Sequence, residues 1–168
     1  MNATPRTLLG LLGRPLDEPG VTRALAELGM LPAPGTEPQS GRLGTSSREL
    51  GLDIVFLFAE RLRDESTLGV PATCLVAAGV FFHTDFFPGY RAYAGDLPYG
   101  LAFAQSRAVV RALLGEPKAS SLKHKNDRWD FGAVYLTVDF KDDEQTIKLV
   151  TVGLPWKPRN PSLSATQP

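Results

Sequence analysis

Few side chains in this sequence are of a type that does chemistry. There is one cysteine, Cys74, and there are two histidines, His83 and His124, so a thiol nucleophile with an imidazole base would have to pair Cys74 with one of them. Cys74 sits in the run from Ala72 to Phe82, rich in β-formers, where a cysteine reads as a small buried hydrophobe. His83–Thr84–Asp85 sets a carboxylate near an imidazole, yet a strand puts residues 83 and 85 on one face by its period alone. A metal site needs at least three convergent ligands, and two histidines far apart announce none. The acids Asp17–Glu18, Asp64–Glu65 and Asp142–Asp143–Glu144 fall where caps and turns are expected, which makes them solvated charge. No glycine-rich phosphate loop follows a strand, and no Gly-x-Ser-x-Gly elbow occurs. The expectation is a protein that is not an enzyme and uses no cofactor and no metal.

The elements that would position these residues follow from the hydrophobic periods. Thr4–Pro5 opens a helix over about 5–12, with Gly13 placed to end it. Val21, Ala24, Leu25 and Leu28 recur at helical spacing and predict a helix over 18–28. Residues 30–49 are crowded with Pro, Gly, Ser and Thr and read as a long loop. Strand-like runs at 52–59 and 72–82, with a charged, turn-prone linker at 61–71, read as an antiparallel pair. Ser106 caps a helix whose inward face is expected to be Val109, Val110, Leu113 and Leu114, and Gly115 with Pro117 stops it. After a basic loop from Lys118 to Arg128, Val134, Leu136, Val138 and Phe140 alternate with Tyr135, Thr137 and Asp139, and a partner strand runs over 146–154. A frayed tail is predicted for 155–168.

The 168 residues fit one domain, with 43% apolar and 21% charged residues, ordinary globular usage. The 18 basic and 18 acidic residues cancel, so no global field draws the chain to nucleic acid or to an anionic membrane. A lone cysteine allows no internal disulfide and fits a reducing compartment. Met1–Arg14 reads as a helix and not a signal peptide, and no apolar run approaches the ~20 residues of a membrane span. The expected location is the cytoplasm.

The two halves echo one another. Val21, Arg23, Ala24 and Leu25 ahead of Gly29 match Val109, Arg111, Ala112 and Leu113 ahead of Gly115, and Val76, Gly79 and Val80 match Val150, Gly153 and Leu154. This order predicts a single α+β domain over 1–154. Two helix–loop–β-hairpin pseudo-repeats, about 4–85 and 97–154 with a connector at 86–96, would form one antiparallel sheet with helices packed on one face.

The second half carries Tyr93, Gly95, Leu97, Pro98, Gly100, Leu101 and Phe103, then Ser106–Arg107, the helix to Leu114–Gly115–Glu116–Pro117, and Asp127–Arg128–Trp129–Asp130. Over residues 90–154 this pattern resembles bacterial toxin-immunity proteins, including the pyocin-type ones. The repeat is also similar to that of the β-lactamase inhibitory protein and of small outer-membrane assembly lipoproteins. Those two classes carry disulfides, or an acylated cysteine behind a signal peptide, and this chain reads as lacking both. The resemblance therefore implies intracellular immunity: stoichiometric binding of a cognate bacterial toxin or effector protein.

For such a partner the aromatic-rich connector supplies candidate contacts. Phe87, Tyr90 and Trp129 are expected to be exposed anchors, with Asp85, Asp96 and Asp130 steering a basic toxin surface. Phe81, Phe86, Tyr93 and Phe103 could equally fasten the halves together. Lys118, Lys123, His124, Lys125 and Arg128 beside Trp129 invite a nucleic-acid reading, but Asp127 and Asp130 offset them and favour a solvated loop. The runner-up function is an assembly or regulatory adaptor, nucleic-acid-associated through that loop.

Overall fold

A computed structural model describes residues 4–63 and 68–157. Thr4 accepts a hydrogen bond from the Thr7 amide, and Pro5 opens helix α1 (Pro5–Leu9). This helix ends earlier than the periodicity predicts. Gly13, at φ +80°, bends the chain so that its amide donates to the Ala77 carbonyl, and Pro15 lies beside Val76. Helix α2 (Pro19–Glu27) buries Val21 and Leu25 as expected, with Ala24 and Leu28 at the margin of the core.

Seven antiparallel strands form one sheet: β1 (Arg42–Ser47), β2 (Leu52–Phe58), β3 (Leu75–His83), β4 (Ala119–Ser121), β5 (Asn126–Phe131), β6 (Val134–Phe140) and β7 (Ile147–Gly153). Their order across the sheet is β1-β2-β3-β7-β6-β5-β4, so the halves of the chain meet at the central β3–β7 pair. A third helix, α3 (Arg107–Leu114), is capped by the Ser106 hydroxyl and ended by Gly115 at φ +82°, both as predicted. Ile54, Phe56, Val80, Phe82, Leu136, Val138, Val150 and Val152 form one face, and Leu8, Val21, Leu25 and Val110 from the three helices join the same core. Burial of each such side chain stabilises by roughly 1.5–3 kcal/mol. On the opposite face a smaller cluster gathers Val55, Leu57, Val76 and Ala78 under Ala59 and Leu62.

Several expectations are corrected. The long loop at 30–49 contains β1, an edge strand with few aliphatic side chains whose Leu43 and Thr45 point inward. The basic loop from Lys118 to Arg128 contains β4 and the start of β5, hidden from a reading by hydrophobicity because an inward position is Asp127. Helix α2 is followed by three strands and α3 by four, not by a two-strand hairpin each. Residues 155–157 of the predicted frayed tail are tied down: Pro155 accepts from the Arg63 amide, Trp156 bridges to Leu62, and the Lys157 amide donates to Arg61. Asp64–Glu65 and residues 158–168 lie outside the described residues.

The face of α3 is also corrected. Arg107, Val110, Arg111 and Leu114 turn toward the sheet, while Val109 and Leu113 are each 50% exposed. The cause is Asp127 on β5, whose side chain is fully buried. Arg107 donates to it from Nε (3.0 Å) and Nη2 (2.6 Å), Arg111 from Nε (2.7 Å) and Nη2 (2.9 Å), and the Ser120 hydroxyl adds a fifth bond at 2.7 Å. A buried carboxylate without such partners would be strongly unfavourable, so the helix rotates to bring both guanidinium groups inward.

Candidate functional site

The helices cover one face of the sheet, and residues of opposite parity point out on the other. Strand register puts two rows of side chains across this second face. One runs Gly44–Val55–Gly79–Gly153–Tyr135–Asp130, and the next runs Ser46–Asp53–Phe81–Thr151–Thr137–Arg128. Glycines on both central strands leave bare backbone in the middle. The rings beside them lean over the gap: a Cβ on Gly79 would lie 3.3 Å from the Phe81 ring, and one on Gly153 would lie 2.8 Å from the Tyr135 hydroxyl. The result is a groove of about 230 Å³ lined by Val55, Leu57, Phe81, Tyr135 and Trp156, with Arg42 and Arg61 at its rim. Trp156 is 45% exposed. Arg128 stacks on the outer side of Tyr135, 4.4 Å from the ring centroid. Burial pushes the Tyr135 phenol up, and Arg128 and Trp156 pull it partly back.

At one end of this face the connector folds over the sheet. His83 Nε2 and Asp53 Oδ2 lie 2.9 Å apart, and the Tyr90 hydroxyl donates to Asp53 Oδ1 at 2.8 Å. The Tyr90 ring stacks on His83 with centroids 4.2 Å apart, and Phe87 meets His83 edge-on at 5.2 Å. Burial pushes the Asp53 carboxyl up, but hydrogen bonds from His83, Ser46 and Tyr90 outweigh it and hold the carboxyl below its usual range. Burial and the bond to Asp53 push the Tyr90 phenol up. The partner of His83 is thus Asp53 on β2 and not Asp85, whose side of the connector is exposed. The second imidazole nitrogen, Nδ1, is buried and bonded to nothing among the described residues. With Nε2 on Asp53 and Tyr90 and Phe87 packed on the ring, the pair ties the connector to β2.

The other candidates fall into place around this face. Phe87 and Tyr90 are half-buried in the His83 cluster, and Asp85 is exposed beside them. Asp130 lies on the same face in register with Tyr135, and it is engaged by Lys118 at 2.5 Å and Arg128 at 2.9 Å. Asp96 is exposed at a separate hollow, lined also by Glu27, Leu28, Glu49 and Leu50. Trp129 is corrected: it is only 3% exposed, on the helix-covered face, and its indole N–H donates to the Gly115 carbonyl at 2.9 Å. The neighbouring Phe131 is the exposed aromatic, stacked on Tyr99 at 4.6 Å. Tyr99 holds a left-handed φ of +59°, which is uncommon for a bulky residue. Of the expected fasteners, Tyr93 packs edge-on against Phe82.

Cys74 is half-buried just ahead of β3, not in the sheet interior. Burial pushes its thiol up, with a smaller contribution from Asp17. With His83 at the far end of β3, roughly 27 Å of strand separates the two. The cations of the predicted basic loop are largely committed, with Lys118 and Arg128 on Asp130 and Lys125 on Glu144 at 2.8 Å. Among the described residues no three His, Cys, Asp or Glu side chains group as metal ligands, and no helix is long and apolar enough to cross a membrane. No protein-family model, curated protein or solved structure matches this chain significantly.

Sequence reasoning missed Asp53, Tyr135, Trp156 and the two arginines at the groove rim, and it weighed Phe81 as a fastener of the halves or a contact. The signal within reach was the pair Gly79 and Gly153, singled out as a repeat match but not as a gap in a sheet face.

Proposed function

We propose that this protein is an immunity protein that neutralises a bacterial toxin or secreted effector by direct, stoichiometric binding. The observation that carries the reading is the sheet face opposite α1, α2 and α3, where Phe81, Tyr135 and Trp156 line a groove with Arg42 and Arg61, Phe87 and Tyr90 pack on His83 at one end of the face, and Asp85 and Asp130 lie toward its ends. Aromatic and arginine side chains at a concave surface are what a protein–protein contact concentrates its free energy on. The resemblance over residues 90–154 agrees with this use.

We also infer that the two halves are duplicated units. Gly79 and Gly153, equivalent in the sequence comparison, are direct partners across the central strand pair; Gly79 lines the groove from the first half, and Tyr135 and Trp156 line it from the second. A binding face assembled at the junction of two repeats needs both halves in place.

The test co-expresses this chain with the product of the adjacent gene in a bacterial host, scores survival, and follows with calorimetry on the purified pair. Survival with 1:1 binding at a nanomolar Kd, about −12 kcal/mol, is the expected result. Truncating Tyr90 to alanine should cost roughly 2–4 kcal/mol of binding, and Lys123→Ala should change little. Continued killing with no heat of binding sinks the reading.

A further inference from the structure

The groove beside Gly79 has a size and a charge that specify its occupant. Its volume, about 230 Å³, falls below the ~300–1,000 Å³ of pockets for cofactors and drug-sized ligands and suits a single large side chain. The walls are apolar or aromatic, and the polar groups at the rim are the guanidinium groups of Arg42 and Arg61, with Arg128 behind Tyr135. Arg61 donates one bond to the Ser40 carbonyl, which leaves further guanidinium donors on that side chain. Among the described residues no carboxylate lines the groove, and Arg42 makes no ion pair. An uncharged apolar peptide would leave this rim uncompensated, and a basic one would meet like charge.

We infer that the groove receives a phenylalanine-sized side chain from an acidic segment of the protein partner, the ring lying between Phe81, Tyr135 and Trp156 and flanking carboxylates meeting Arg42 and Arg61. This rests on the proposed function only in taking a protein as the occupant. It reverses the polarity expected from Asp85, Asp96 and Asp130. Asp130 already holds two cations, while the rim of the groove carries Arg42 and Arg61, which also line an adjoining hollow with Glu37. Two arginines also suit carboxylates better than lysines would, because each guanidinium can form paired bonds to one carboxylate.

The experiment uses the full chain, isotope-labelled for amide spectra, and three capped five-residue peptides at low ionic strength. One has phenylalanine between two acidic residues, the second has alanine in place of the phenylalanine, and the third has phenylalanine between two lysines. The first peptide should shift the amides of Val55, Gly79, Tyr135 and Gly153 and bind about tenfold or more tightly than the other two. Arg42→Glu should weaken it by a similar factor with the rest of the spectrum in place, and Arg42→Gln should weaken it less. Equal binding of the three peptides, shifts confined to other residues, unchanged binding by Arg42→Glu, or no binding at millimolar peptide each overturns the inference. Those outcomes are separate from host survival and calorimetry, so the groove can fail while the immunity reading holds, and the reverse.

Discussion

At the scale of single residues, the group that most constrains this fold is Asp127. Two arginines and a serine converge on a carboxylate with no exposed side-chain surface. Burial alone pushes that carboxyl up, but the hydrogen bonds from Arg111, Arg107 and Ser120 win and hold it far below the usual range. A folded-state pKa below the unfolded value of ~3.9 gives stability that is fully present above about pH 5 and is lost as pH falls through and below ~4. Asp53 shifts in the same direction and adds to the loss. Acid titration of the folded protein, followed by circular dichroism, should therefore show a denaturation limb that shrinks in Asp127→Asn. That substitution removes the buried charge partner of Arg111 and one of the two partners of Arg107, which keeps Glu144 at 3.3 Å, so it should also cost roughly 3–5 kcal/mol in urea unfolding at pH 7. Gly153→Ala is the other sharp residue-level test. Its Cβ would meet the Tyr135 hydroxyl at 2.8 Å and the Ala78 carbonyl at 2.9 Å, and the backbone oxygen has little freedom to retreat. A loss of about 1–3 kcal/mol is expected, with Gly79→Ala costing less because its nearest neighbour is a ring edge at 3.3 Å.

At the scale of elements, α3 separates what periodicity can and cannot read. Ser106 and Gly115 fix where the helix begins and ends, and both act through local backbone geometry that a sequence displays directly. Its rotation is decided by a residue on β5, out of reach of any window along the helix. Val109, Val110, Leu113 and Leu114 make an aliphatic stripe, yet the inward set is Arg107, Val110, Arg111 and Leu114. The two faces make opposite demands on stability. Val110→Ala, at a fully buried position, should cost about 2 kcal/mol, whereas Leu113→Ala should cost less than ~1 kcal/mol in the same denaturation measurement. The same logic explains the legible strands. β2, β3, β6 and β7 carry β-branched and aromatic runs, so their existence and pairing are readable. β1, β4 and β5 are polar, short or at the edge, held by register with a neighbour rather than by their own composition. The groove follows suit: its walls come from β2, β3, β6 and a residue beyond β7, and only the sheet order brings them side by side.

At the scale of the whole molecule, the sheet order sets how the chain must fold. Residues up to His83 supply β1, β2 and β3, residues from Ala119 on supply the rest, and among the described residues the two sets of strands pair through β3–β7, with an isolated bridge from Leu62 to Trp156 beside it. Both are central strands, buried by neighbours on each side. Cutting the chain after Gly89 would turn β3 into an edge strand along its whole paired length, exposing unpaired amides and carbonyls beside Val80 and Phe82. It would also strip the core of Leu136, Val138, Val150 and Val152, each fully buried. The complementary piece would lose Ile54, Phe56, Val80 and Phe82 from the other side of the same cluster. Each piece keeps its own helices but loses a large share of the sheet-face side chains they cover and gains an unpaired strand edge, which leaves too little burial to offset its conformational entropy. The intact chain is therefore expected to unfold in one transition, with coincident midpoints by tryptophan fluorescence and by far-ultraviolet circular dichroism. The fluorescence samples two separate places, because Trp129 reports on β5 and Trp156 on the groove and the Leu62 bridge. Each isolated half should be insoluble or give a collapsed amide spectrum. A well-dispersed spectrum from residues 1–89 alone, or two separated transitions in the intact chain, would show that the halves are autonomous and that the β3–β7 seam is an interface between preformed units.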